Sequence, residues 1–104
     1  MNEKIKAVLF FNNSRGLHIY NFLKKQKNIK IIKIFLLKKF LNLKIVDDID
    51  NFKIIKNLNT AEIKKTLLQS DIAVVGGFPL IFRRDLIKLP KFGIINCHAG
   101  ILPK

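Results

Sequence analysis

Cysteine is almost missing from this chain: Cys97 is the only one in 104 residues. One thiol cannot close an internal disulfide, so a cross-linked secreted scaffold is excluded and a reducing, cytoplasmic setting is expected. Long apolar runs are missing too. Lys30 and Lys33 break IKIIKIFLL, and nowhere do about 18 apolar residues follow one another, so no membrane span is expected. The apolar run Ala7 to Phe11 ends in Asn-Asn with no small-residue cleavage site, unlike a signal peptide. The sequence also lacks a Walker-type Gly-Lys-Ser/Thr, a metal-ligand cluster and a Gly-x-Gly-x-x-Gly, which removes the kinase, metalloenzyme and NAD readings.

Acidic residues are scarce, 7 against 20 Lys and Arg, for a net charge of +13. A basic surface favours anionic partners such as RNA or phosphorylated substrates. Yet Lys, Ile, Asn and Phe alone make up 53 of 104 residues, the signature of A/T-rich codons, and the lysines are spread along the chain rather than clustered. A solvated surface accounts for much of the charge. The length suits one domain with a modest core.

Apolar patterning predicts alternating strands and helices. Ile5 to Phe11 reads as a buried first strand ending in the turn Asn12-Asn13-Ser14-Arg15-Gly16. A helix over roughly 16 to 27 follows, with Ile19, Phe22 and Leu23 on one face and Lys24, Lys25 and Lys27 in its last turn. Ile29 to Leu37 has apolar bulk on both faces, as a strand covered on both sides requires. Residues 38 to 50 carry mixed signals and read as a loop with a short helix. A brief strand is expected at Phe52 to Lys56, then a helix opened by a capping-box-like Asn59 and Glu62 and burying Ile63, Leu67 and Leu68. Asp71 to Gly76 reads as the most buried strand, Arg83 to Leu89 as a short helical turn stopped by Pro90, and Phe92 to His98 as a last strand. This order predicts an α/β fold, a Rossmann-like parallel sheet with helices on both faces, in a single domain.

In such sheets ligands bind beyond the carboxyl ends of the strands, which singles out Asn12 to Gly16, Gly76 to Phe82 and Asn96 to Lys104. Strand alternation puts Asn96 and His98 on one side with Cys97 opposite. An amide donor beside an imidazole can stabilise an oxyanion and move a proton near neutral pH, as acyl transfer requires. A bare Asn-x-His is more commonly incidental. Ser14 and Arg15, at the start of the first helix, could hold an anion, although the same residues also suit an ordinary turn. His18 just beyond reads as a surface residue.

The longer string FGIINCHAGILPK resembles the signature of the folate-dependent formyltransferases, Gly-x-x-Asn-x-His followed by a small pair and Leu-Leu-Pro-Lys, and the upstream DIAVVGGFPLIFRRDLIKLPKFG matches the family's preceding strand, loop and short helix. The resemblance covers residues 71 to 104; the first seventy agree only in element order. It implies transfer of a formyl group from 10-formyltetrahydrofolate to a primary amine, without a metal. Asn96 would donate to the tetrahedral oxyanion, and His98 would stabilise that charge and carry the proton. Gly77, Phe78, Pro79, Leu80, Ile81 and Phe82 would form the loop along the pterin pocket, recognising the ring through main-chain groups. Phe78 and Phe82 serve equally well as core aromatics.

The resemblance is incomplete in two respects. Ala99-Gly100 stands where a Ser-containing pair is more usual, and the family's catalytic aspartate and Tyr-Arg-Gly would fall after Lys104. A truncated catalytic domain is therefore the expectation, with the missing C-terminal part as a partner and with neighbours lost from the sheet. Leu80, where purine-pathway members have a basic residue, argues against a purine-pathway acceptor, and the spacing KLPKFGIINCHAGILPK resembles the methionyl-tRNA and nucleotide-sugar formyltransferases, of which the methionyl-tRNA type ranks first. A sugar-nucleotide N-formyltransferase or a phosphoribosylglycinamide formyltransferase comes next. A noncatalytic Rossmann-like module binding a nucleotide or RNA is the alternative from another class.

Overall fold

The β-branched and aromatic runs do form strands, and the central stretches Ala7 to Phe11 and Ala73 to Gly76 are apolar on both sides and buried throughout. The computed structural model describes residues 3–37, 49 and 51–97. The elements run β1 (Ile5–Phe11), α1 (Ser14–Leu23), β2 (Ile29–Leu37), β3 (Phe52–Ile55), α2 (Ala61–Gln69), β4 (Ile72–Gly76), α3 (Arg84–Ile87) and β5 (Ile94–Cys97). The five strands form one sheet in the order β3-β2-β1-β4-β5, with every pair parallel. This is the expected Rossmann-like α/β architecture. Among the described residues no helix is long and apolar enough to cross a membrane.

Strand alternation sorts the core into two layers. Val8, Phe10, Phe35 and Val75 face Ile63 and Leu67 of α2 and Leu86 of α3. Ala7, Leu9, Phe11, Ile34 and Leu36 face the other way, towards Tyr20, Leu17, Ile19 and Leu23 of α1. Phe10 is fully buried, its ring stacked on Phe35 at 5.0 Å. Helices therefore cover both faces.

Several boundaries shift for local reasons. Helix α1 starts at Ser14 because the Asn13 side chain caps it, and ends at Leu23 rather than near 27. Its last carbonyls are taken by Gln26, whose N–H donates to Leu23 O and whose Nε2 donates to Phe22 O. The lysines thus lie past the helix end, Lys24 reaching back over the Tyr20 ring at 4.8 Å. Helix α2 is capped by Thr60, not Asn59, with Thr60 Oγ1 accepting from Ile63 N at 3.2 Å. Its inward face is Ile63, Thr66 and Leu67; Leu68, one step round the helix, is 64% exposed rather than buried. The other strand and helix ends draw in: β3 stops at Ile55, α3 spans only Arg84–Ile87, and β5 starts at Ile94. The loop expected over 38 to 50 lies outside the described residues except for Ile49, which is buried against the α1 side of the sheet.

Candidate functional site

The chain runs from β1 outward through β2 to β3, then returns to place β4 and β5 on the other side of β1. The sheet order thus reverses between β1 and β4, and the loops leaving these two strands part to either side, opening a crevice at their carboxyl ends. Two of the segments singled out from the sequence meet here. Asn13 Oδ1 accepts from Arg15 N at 3.0 Å and from Gly16 N at 3.4 Å. The same carboxamide lies against Gly77, whose φ is +60°, so a side chain at 77 would collide with Asn13 as well as strain the backbone. Gly16 is equally constrained, since a Cβ there would run into the Phe11 side chain. Asn12 Oδ1, at the mouth of this crevice, is buried without a hydrogen-bond partner among the described residues.

Ser14 and Arg15 are both exposed in the first turn of α1. Two of the N–H groups that an anion would use there, those of Arg15 and Gly16, are already turned to Asn13. His18 lies on the exposed side of the helix.

The loop after β4 folds over the α2 side of the sheet. Phe78 and Phe82 pack edge-on to Phe10 at centroid distances of 5.6 and 4.8 Å, and Leu80 packs against the same core layer. Both phenylalanines are thus core-packing aromatics, whereas Pro79 is exposed and Ile81 is 86% exposed. Among the described residues, no main-chain group from Phe78 to Phe82 is hydrogen-bonded. The loop thus presents unpaired backbone donors and acceptors above side chains packed into the core, groups free to hydrogen-bond a polar ligand.

Asn96 lies near the end of β5, paired in register with Val75 of β4. Its neighbour two residues back, Ile94, packs against the layer holding Phe10, Phe78 and Phe82, while Cys97 packs against the opposite layer. Asn96 therefore shares its face of the sheet with the Phe78–Phe82 loop, and its side chain is exposed. His98 and residues 99–104 lie outside the described residues. Sequence reasoning missed Asn13 as the link between the two loops. Its signal was available, an Asn directly before a helix start, but the contact with Gly77 is visible only once β1 and β4 are neighbours.

No protein-family model matches the chain. Curated relatives do. A methionyl-tRNA formyltransferase of Fusobacterium nucleatum is 38% identical over 80 residues, covering 77% of this chain and 24% of that protein. The enzyme of the same name from Bacillus subtilis is 44% identical over 46 residues, or 43% of this chain and 14% of the relative. That of Hydrogenovibrio crunogenus is 38% identical over 50 residues, or 46% and 16%. The chain, folded as an all-parallel Rossmann-like sheet, is similar over these segments to formyltransferases. Within that class it is similar to enzymes of the methionyl-tRNA type, and it spans about a quarter of the length of the Fusobacterium relative.

Proposed function

We propose that this chain forms part of a formyltransferase catalytic domain that moves a formyl group from 10-formyltetrahydrofolate to a primary amine, with methionyl-tRNA as the acceptor. The carrying observation is that Asn96 occupies the same face of the sheet as the loop Phe78–Phe82, whose main chain is unpaired among the described residues, in a chain similar to methionyl-tRNA formyltransferases. In this reading the backbone of Pro79, Leu80, Ile81 and Phe82 holds the pterin edge and Gly77 lets the loop turn. Asn96 donates a hydrogen bond to the oxygen that becomes negative as the amine adds to the formyl carbon. His98 takes the proton from the attacking nitrogen and returns one to the folate nitrogen as its bond to the formyl carbon breaks. Ser14 and Arg15 lie at the crevice entrance, where they suit a phosphate of the acceptor, and the net charge of +13 suits a tRNA.

The test has two readouts. A non-transferable 10-formyl folate analogue is titrated into the chain, and formylation of methionyl-tRNA is measured in the enzyme completed by the C-terminal part, for the parent, Asn96→Ala and His98→Ala. Saturable analogue binding is expected in all three, with formylation reduced roughly 100-fold or more in each variant, because an oxyanion donor acts on charge present only in the transition state. Equal rates in parent and variants, or no analogue binding by the parent, would refute the assignment.

A further inference from the structure

A concavity of about 350 Å³ lies between the β3–α2 turn, the loop at Leu80 and Ile81 and the start of α3. Its apolar part is built from Leu58 and Leu86, both buried, and from Leu80. Its polar part is unusually donor-rich. Lys64 comes from α2, and Arg83 sits at the N-cap of α3. Asn57 has its Oδ1 occupied by Asn59 N at 2.8 Å, which leaves its amide nitrogen as the free group. Asp85, in the first turn of α3, is the one carboxylate among the described lining residues. The other acidic residue nearby, Glu62, is turned to Lys53 and Lys33. Among the described residues, no ion pair engages Lys64, Arg83 or Asp85.

Two unpaired cations and one carboxylate leave the concavity one positive charge in excess. That charge is matched by a monoanion and poorly matched by a dianion or a cation. A guanidinium presents paired donors that fit the two oxygens of a carboxylate, and the leucines supply an apolar surface for a short chain or ring. We propose that this concavity binds a small monocarboxylate with an apolar body, its carboxylate held by Arg83 and Lys64 and its body lying on Leu58, Leu80 and Leu86. Neither Asn96 nor Phe78 lines it, but Leu80 and Ile81 of the loop proposed to hold the pterin do, so the two sites share that loop, while Lys64, Arg83 and Asp85 belong to this concavity alone.

The experiment uses the full chain labelled with nitrogen-15 and four probes: hexanoate, hexanol, hexylamine and phenyl phosphate. Hexanoate is expected to give saturable shifts at Lys64 and Arg83 with a dissociation constant on the order of 1 mM, a reasonable ceiling for so small a ligand. Arg83→Gln and Lys64→Gln should each weaken it about tenfold, and Asp85→Asn should strengthen it severalfold by removing the repelling carboxylate. All three side chains are exposed, and an unchanged amide spectrum elsewhere shows that each variant folds. Hexanol or hexylamine binding as tightly as hexanoate would overturn the proposal. So would tighter binding of the dianionic phosphate, or unaltered affinity in Arg83→Gln.

Discussion

Phe10 occupies the middle strand and touches three other rings: it stacks on Phe35 and receives the edges of Phe78 and Phe82. Two of those rings belong to the loop proposed to bind the pterin, so core packing and the shape of the crevice depend on the same side chain. Glu62 shows the opposite case, a surface residue whose neighbours set its titration. Lys53 donates a hydrogen bond to its carboxylate and Lys33 approaches at 3.7 Å, so the Glu62 carboxyl is held below its usual value near 4.5, chiefly by the Lys53 hydrogen bond. A carboxyl with a lowered folded-state pKa stabilises the fold above its unfolded value, and that contribution is lost as the pH falls through the lowered one. Melting temperature followed from neutral pH to about pH 3 should therefore show the parent above Glu62→Gln at neutral pH, with the gap closing below about pH 4.5. The gap will be small because the pair faces solvent. A gap that widens on acidification would contradict the arrangement.

Among the elements, α2 offers the clearest contrast between expectation and structure. A sequence scan finds Asn59 and Glu62 at capping-box spacing, yet the helix starts one residue later, with Thr60 accepting from Ile63 N. Asn59 is instead the second half of a turn that its own N–H closes onto Asn57. Thr60→Ala should cost about 1 kcal/mol of stability in urea denaturation, and Asn59→Ala no more than about half of that. Equal losses would mean that the cap is misassigned. The strands are legible in the sequence to within two residues, because their apolar runs mark them, although the start of β5 draws in from Phe92 to Ile94. Helix ends are not, because Ser, Thr, Asn and Asp compete to cap, and the winner depends on where the preceding strand releases the chain.

For the whole molecule the dominant fact is charge. A net charge of +13 on a domain of this size repels itself in the compact state. Raising sodium chloride from about 20 mM to about 300 mM shortens the screening length and should raise the melting temperature. A decrease would show that attractive ion pairs outweigh the repulsion. The sheet leaves β5 at an edge with Ile95 about half exposed, at 49%, next to β4, which is buried from Ala73 to Gly76. The relatives are considerably longer than this chain, and the proposed catalytic reading places further parts of the site beyond the elements described here.

Apolar periodicity by itself determined the five strands, the alternation with helices and hence the parallel sheet, because strands buried in a sheet demand runs dominated by β-branched and aromatic residues that polar segments cannot imitate. It also placed Asn96 opposite Cys97, since side chains on a strand must alternate. Only the tertiary structure decided that Asn13 meets Gly77, that Phe78 and Phe82 close on Phe10, and that Lys64 and Arg83 face one concavity. Each of those contacts joins residues far apart in the chain, and their meeting depends on which strands become neighbours, a choice made by the packing of the whole sheet rather than by any local pattern.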